Sequence, residues 1–130
     1  MKITRESDYA VRIVYYLSKK DEIVGAKQIS EETDITQRFA LKILRKLCIA
    51  EILQSYKGHA GGYKLKKQPF EISLKDVIEA IEGVIAINSC LDEDIECNGI
   101  SSCNCAMREA FSVANTALKE ELEKQTFDKL

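Results

Sequence analysis

Residues 36–65 read TQRFALKILRKLCIAEILQSYKGHAGGYKL, and the fold can be inferred outward from them. The first part predicts a helix over residues 36–48, because its apolar side chains recur at intervals of three or four. The side chains expected to face inward are Ala40, Ile43, Leu44 and Leu47. Residues 52–56 and 63–65 read as two short strands, and the glycines between them permit a tight turn. The stretch therefore predicts a basic helix followed directly by a β-hairpin.

Two shorter helical segments precede this stretch. Residues 5–20 carry an apolar stripe at helical spacing, and residues 26–33 read as a short helix anchored by Ile29. Residues 34–36, Asp-Ile-Thr, form a tight connection that contains capping residues. Two helices, a turn and a basic helix predict a helix-turn-helix, and the hairpin after it lies where a wing would. We therefore predict a mainly α fold with a winged helix-turn-helix over residues 1–83.

A cysteine-bearing loop is expected after the winged helix. Ser73 and Asp76 resemble a capping box for a helix over residues 74–82 that stops at Gly83. The loop assigned to residues 84–105 holds four cysteines within sixteen residues: Cys90, Cys97, Cys103 and Cys105. Cysteines at these spacings can hold an iron–sulfur cluster or zinc. Four solvated thiols without a metal are the alternative.

A long helix is predicted near the end of the chain, at about residues 105–125. One stripe of this helix recurs at intervals of three or four: Phe111, Ala114, Leu118, Leu122 and Gln125. A chain of 130 residues has little else to cover the stripe, so we expect the same helix of a second subunit to cover it. Packing onto the winged helix of the same chain is the alternative. Residues 106–130 are accordingly expected to be a dimerisation helix and tail.

Charge is distributed unevenly along the chain. The net charge is −2, but residues 36–67 hold eight Lys or Arg against the single acid Glu51, a net +7 that leaves −9 for the remainder. An electropositive face on an acidic body favours a nucleic-acid partner, whereas a basic helix that is merely solvated is the alternative.

Other classes of protein are disfavoured. No apolar run is long enough for a transmembrane helix, and the opening MKITRESD lacks the apolar stretch of a signal peptide, so we expect a cytoplasmic protein with no membrane partner. In a reducing compartment, clustered cysteines are more often metal ligands or redox sensors than disulfides. The sequence shows no nucleophile–base pair, phosphate-cradling loop or paired carboxylates, so no enzymatic activity is expected.

At this point nearly the whole chain resembles the bacterial winged-helix iron–sulfur regulators typified by IscR and NsrR. The generic parts of the resemblance are the helical segments MKITRESDYAVRIVYYL, QRFALKILRKL and ISLKDVIEAIEG. Its specific parts are the segment GHAGGYKL, which is similar to the family's wing, and the cysteine loop. The closing QTFDKL also matches the family's end.

The resemblance implies a homodimer that binds double-stranded DNA at a near-palindromic operator, with half-sites about one helical turn apart. The helix over residues 36–48 is expected to enter the major groove. Its proposed DNA contacts are Gln37, Arg38 and Lys42, nearest the bases, and Arg45, at the phosphates. On the wing, Lys57 and His59 are expected to reach the adjacent minor groove or backbone, although His59 as a plain turn residue is the alternative.

The resemblance also implies a [2Fe–2S] or [4Fe–4S] cluster bound by three cysteines of the loop. Cys90 and Cys97 carry over directly. Cys105 is favoured as the third ligand because it lies six residues before the aromatic Phe111, as in the family. Cys103 stays open, because its spacing from Cys97 is the ordinary one.

The fourth ligand varies between branches of the family. One branch uses a histidine three residues past the last cysteine, but this chain has Arg108 at that position. The nitric-oxide-sensing branch uses an aspartate of the opening helix, donated across the dimer, and Asp8 lies at the matching position. Asp8 as an acid favoured by the helix macrodipole is the alternative, and Cys103 as an all-thiolate fourth ligand is a third option.

The implied function is a transcriptional repressor that senses redox, iron or nitric oxide status through the cluster. Two alternatives remain. One is a zinc-stabilised protein-interaction module built on the four cysteines. The other is a metal-free regulator that switches through its thiols.

Overall fold

Five α-helices and one two-stranded antiparallel sheet make up the described part of the fold, residues 2–92 and 105–130 of a computed structural model. The helices are α1 (Arg5–Ser18), α2 (Ala26–Thr33), α3 (Gln37–Ile49), α4 (Leu74–Glu82) and α5 (Ala106–Lys124). The strands are β1 (Leu53–Tyr56) and β2 (Gly62–Leu65), and short 3-10 helices lie at Pro69–Glu71 and Ser89–Leu91. The predicted mainly α winged-helix fold is confirmed, with ends that differ by one or two residues. None of the described helices is long and apolar enough to cross a membrane.

Helices α3 and α4 begin where their capping residues predicted. The hydroxyl of Thr36 accepts a hydrogen bond from the Phe39 backbone N–H at the start of α3. At the start of α4, the Ser73 hydroxyl accepts from the Asp76 N–H and the Asp76 carboxylate accepts from the Ser73 N–H, so the predicted capping box is confirmed. Helix α1 ends at Ser18, two residues before the predicted end.

The core lies between α1, α2, α3 and α4. All four inward residues predicted for α3 are buried, and so is the apolar stripe of α1: Ala10, Ile13, Val14 and Leu17. Burial of these stripes supplies the main driving force for folding, at about 25 cal/mol per Å² of apolar surface. The opposite face of α3 is thereby left to solvent.

The wing, residues 53–65, is the antiparallel pair β1–β2 in the register Leu53↔Leu65 to Tyr56↔Gly62. A residue before α2, Val24, extends this sheet. Its N–H donates to the Tyr63 carbonyl at 2.9 Å, and the Tyr63 N–H donates to the Val24 carbonyl at 2.8 Å. A Cβ at Gly62 would lie 2.3 Å from the Val24 carbonyl oxygen, so this close approach requires glycine. The sequence analysis did not anticipate the Val24 contact.

The chain returns to the winged helix after α5. Phe127 is fully buried in the same core cluster as the helices. The Leu74 N–H donates to the Gln125 carbonyl at 2.9 Å, and the Phe127 N–H donates to the Ile72 carbonyl at 3.1 Å. The division into residues 1–83, 84–105 and 106–130 stays a prediction, but the tail after α5 is physically part of the winged-helix core. The resemblance of the closing QTFDKL to the family's end gave no indication that Phe127 enters this core.

Helix α5 itself has no buried residue in the described chain. It packs against α4 and the 3-10 helix Ser89–Leu91. On its predicted stripe, Phe111 is 40% exposed and Leu118 is 37% exposed. The described chain therefore covers this stripe only in part.

Candidate DNA-binding surface and cysteine site

The polar face of α3 carries the four residues predicted to contact DNA. Gln37, Arg38, Lys42 and Arg45 are all exposed, opposite the buried apolar stripe. Phe39 and Leu41 are also exposed on this helix, and the Tyr9 ring of α1 meets the Phe39 ring edge-on with centroids 5.5 Å apart. Helix α3 thus presents a cationic and amide-bearing surface that is held in place from behind by its apolar side.

The wing tip carries the other two predicted contacts. Lys57 and His59 are exposed in the turn between β1 and β2, which the Gly61 N–H closes by donating to the Gly58 carbonyl at 3.0 Å. Nearer the base of the wing, lysines are engaged within the chain: Lys64 lies 3.5 Å from Asp21 and Lys66 lies 3.2 Å from Glu51.

The basic side chains of this surface differ in whether a carboxylate of the same chain pairs with them. Within residues 2–92 and 105–130, no carboxylate lies within 4 Å of the charged groups of Arg38, Arg45 or Lys57. In contrast, Lys46 on α3 pairs with Glu6 of α1 at 2.8 Å. The first three side chains are therefore available to a polyanion without breaking an internal ion pair.

Two of the four clustered cysteines can be placed. Cys90 lies in the 3-10 helix Ser89–Leu91, and Cys105 is the residue that immediately precedes α5 as its N-cap. Both are half-buried free thiols. Cys97 and Cys103 lie outside the described residues, so the choice of third ligand stays open. Soft thiolate donors at these two placed positions fit iron–sulfur or zinc ligation.

A complete metal centre is not assembled by the described residues alone, which contain no group of three or more His, Cys, Asp or Glu side chains suited to a metal ion. Asp8, the predicted fourth ligand, is exposed on α1 and pairs with Arg12 at 2.9 Å. Arg12 also donates to the Thr33 carbonyl at 3.3 Å and lies over the Tyr9 ring. Within the chain, the Asp8 carboxylate is thus held by the Arg12 guanidinium.

The fifth cysteine has a different environment. Cys48, near the end of α3, is half-buried against the core and is a free thiol. Burial raises the pKa of the Cys48 thiol above its ordinary value. Because the thiolate is the reactive form, this raised pKa disfavours a role for Cys48 as a nucleophile or ligand.

A side-chain network that the sequence analysis missed ties the start of α1 to the end of α4. The Glu82 carboxylate accepts hydrogen bonds from the Thr4 N–H and hydroxyl, each at 2.8 Å, and from the buried Ser7 hydroxyl at 2.6 Å. Burial raises the pKa of Glu82, but the hydrogen bonds from Ser7 and Thr4 outweigh it and hold the pKa below its ordinary value. No local pattern could have shown this contact, because 78 residues separate Thr4 from Glu82.

A second missed residue is Asn115, in the middle of α5. Its side-chain amide makes two hydrogen bonds to the backbone of Ile85 and Ile87, at the start of the cysteine loop and just before the 3-10 helix that holds Cys90. Asparagine favours helix caps and turns over helix interiors, so its place in the predicted long helix was an available signal.

The chain is similar to known proteins over nearly its whole length. A family model described as "Rrf2: Iron-dependent Transcriptional regulator" matches residues 3–130. The chain is 31% identical to Protein aau3 of Rhizobium meliloti, over all of this chain and 84% of that protein. It is 26% identical to the HTH-type transcriptional regulator NsrR of Oceanobacillus iheyensis, over all of this chain and 89% of that regulator.

A solved structure shares the fold. The structure of CymR (YrzC), the global cysteine regulator of B. subtilis, superposes with a TM-score of 0.79 at 25% identity, covering 98% of this chain and 94% of that one.

Proposed function

Because the chain belongs to the Rrf2 family of transcriptional regulators, we propose that it is a cytoplasmic, homodimeric repressor that senses redox, iron or nitric oxide status through an iron–sulfur cluster. The observation that carries the proposal is the placement of four cysteines within sixteen residues, between the winged helix and α5. The loop that would hold a cluster is thereby the connection between the proposed DNA reader and the proposed dimer helix.

DNA recognition is assigned to α3 and the wing. A helix of this kind enters the major groove and reads base edges, which suits Gln37, Arg38 and Lys42. Arg45, Lys57 and His59 are assigned to the backbone or the adjacent minor groove. Exposure of all six side chains and the net +7 of residues 36–67 support this assignment. A twofold dimer would then require a near-palindromic operator.

The cluster is assigned to Cys90, Cys97 and Cys105, with Cys103 as the competing third ligand and Asp8 of the other subunit as the fourth. A bound cluster supplies an iron centre that reacts with oxidants or nitric oxide. The support from this chain is that Cys90 and Cys105 are free and half-buried. Arg12 holds Asp8 within its own subunit, so ligation requires Asp8 to exchange that ion pair for the metal.

Helix α1 is proposed to couple the state of the cluster to DNA binding. The first turns of α1 contact α3 through Glu6 and α4 through Thr4 and Ser7, and they also carry Asp8. A displacement of α1 would thus act on both the recognition helix and the helix that leads into the cysteine loop. Because half-site spacing is geometrically strict, a small change in the separation of two winged helices lowers operator affinity.

The deciding experiment is anaerobic purification of the full chain, followed by absorption spectroscopy and iron and sulfide assay. We expect a brown protein whose cluster is abolished by Cys90→Ala, Cys97→Ala or Cys105→Ala, weakened by Asp8→Ala and little changed by Cys103→Ala. Cys48→Ala is the matched control, because Cys48 packs against the core and lies outside the loop. Loss of the cluster in Cys103→Ala with retention in Cys105→Ala would reverse the choice of third ligand.

A metal-free thiol regulator is the second candidate, favoured by the similarity to the CymR structure. It keeps the same DNA-binding surface and assigns the cysteine loop to thiol chemistry. A colourless anaerobic protein without iron or zinc, whose operator affinity depends on the loop cysteines, would select this candidate. Colourless protein that holds zinc would instead select the zinc-stabilised module.

A further inference from the structure

The side chain of Asn115 fastens the segment that leads to Cys90 onto α5. The Ile87 N–H donates to Asn115 Oδ1 at 3.0 Å, and Asn115 Nδ2 donates to the Ile85 carbonyl at 3.0 Å. One amide group thus satisfies both a donor and an acceptor of an irregular stretch of backbone, as a neighbouring strand would.

The same segment has a second anchor on α4. Glu79 Oε1 accepts a hydrogen bond from the Ile85 N–H at 3.3 Å and lies 3.7 Å from the Nζ of Lys119. Lys119 is four residues after Asn115 and so lies on the same face of α5. Residues 85–87 are therefore held between α4 and α5.

Through these contacts, Cys90 and Cys105 are both attached to α5. Cys105 directly precedes α5, and Cys90 follows Ile87 by three residues in a 3-10 helix that packs against α5. Of the two, Cys105 is attached through the main chain, whereas Cys90 depends on the segment that Asn115 holds.

We propose that Asn115 is a positioning residue for the cluster, which sets the place of Cys90 relative to Cys105 before metal binds. The inference rests on the proposed function, because it assigns a purpose to the two cysteines. Ligands that are already positioned lose less conformational freedom on binding. Groups that hydrogen-bond directly to a metal ligand typically change metal affinity by about 10–100-fold, and Asn115, which acts through the backbone before Cys90, is expected at the lower end. Helix stability gives no reason for an asparagine at this position.

The test compares Asn115→Leu, which removes both hydrogen bonds at similar volume, with Asn115→Asp, which keeps the acceptor for the Ile87 N–H. Thr116→Val is the matched control, because it is an isosteric change at the adjacent, exposed position. After anaerobic reconstitution of the full chain, cluster loss to a chelator is followed by absorption. We expect loss about tenfold faster in Asn115→Leu, an intermediate rate in Asn115→Asp and no change in Thr116→Val.

Amide hydrogen exchange at Ile87 in the metal-free chain is the second readout, and it does not depend on a cluster. We expect faster exchange in Asn115→Leu and partial protection in Asn115→Asp, with unchanged circular dichroism. Faster exchange together with wild-type cluster retention would overturn the positioning role. A wild-type chain that binds no iron under these conditions would instead refute the proposed function, while the exchange data would still report on the Asn115 contacts.

Discussion

The Oε1 atom of Glu6 on α1 lies 2.8 Å from the Nζ atom of Lys46 on α3. Both side chains are partly buried, so this ion pair is less screened than one on the open surface. The same oxygen lies 3.9 Å from the Nζ atom of Lys42, a proposed DNA contact. A carboxylate of α1 would therefore compete with DNA phosphates for Lys42, the proposed DNA contact.

Glu6→Gln is expected to raise DNA affinity by about threefold at low salt, because it removes the competing negative charge. The gain should shrink at high salt, where such interactions are screened. Fluorescence anisotropy with a labelled duplex measures both. Glu120→Gln, an equal change of charge on the exposed surface of α5, is the control. Equal gains in DNA affinity in the two variants would show that affinity depends on the overall charge of the protein rather than on the Glu6 contacts.

Arg45→Ala and Lys57→Ala are each expected to lower the slope of log affinity against log salt by about 0.9, the value for one neutralised phosphate. Within the described part of the chain, neither side chain forms an ion pair that DNA would have to displace. Binding titrations across a salt series give the slope. Lys124→Ala removes the same charge from the end of α5 and should leave the slope unchanged. An unchanged slope in Arg45→Ala or Lys57→Ala would remove that residue from the DNA contacts.

Glu82→Ala is expected to lower the free energy of unfolding by about 1 kcal/mol near neutral pH, below the usual range for hydrogen bonds to a charged group because the carboxylate is largely solvated. The pKa of Glu82 is lowered by folding. Its contribution is therefore complete above the ordinary glutamate pKa and is lost as the pH falls through the lowered value. Urea unfolding at neutral and acid pH should show wild type and variant converging in acid. A constant difference would contradict the assigned charge dependence.

Gly62→Ala is expected to destabilise the chain by about 1–3 kcal/mol, because the new Cβ would collide with the Val24 backbone and force the sheet apart. Thermal or urea unfolding measures the loss. Gly25→Ala is the control, because the first atom that its Cβ would meet, the Gly61 carbonyl oxygen, lies 4.0 Å away. Similar stability of Gly62→Ala and wild type would show that Val24 does not need the close approach.

Leu118→Glu is expected to convert the proposed dimer to a monomer, because it places a charge on the partly exposed stripe of α5. Analytical ultracentrifugation measures the change, and operator affinity should fall with it. Deleting residues 106–130 is a poorer test, since it also removes Phe127 from the core. Thr116→Glu, on the same helix away from the stripe, should stay dimeric. A dimeric Leu118→Glu protein would place the subunit interface elsewhere.

Local sequence patterns were sufficient to predict the winged helix. The apolar stripes of α1 and α3 follow the helical period. Each stripe therefore lies on one face of its helix, and that face packs into the core. Thr36 and Ser73 mark helix starts through hydrogen bonds that span three residues, so a short window contains the whole signal. The exposure of the four proposed DNA contacts on α3 could also be predicted, because exposed polar positions on a helix follow from the buried ones.

Contacts between distant segments were decided only by the tertiary structure. Val24 joins Tyr63, Phe127 enters the core beside Ile72, Glu82 binds Thr4, and Asn115 holds Ile87. Each joins residues that are far apart in the chain, so neither partner shows a periodic or capping pattern that identifies the other. Their geometry exists only after the apolar stripes have packed and brought the helix ends together. The amino-acid order thus determines the helices and the wing, whereas packing decides which polar groups link the recognition helix, α1 and the approach to the cysteine loop.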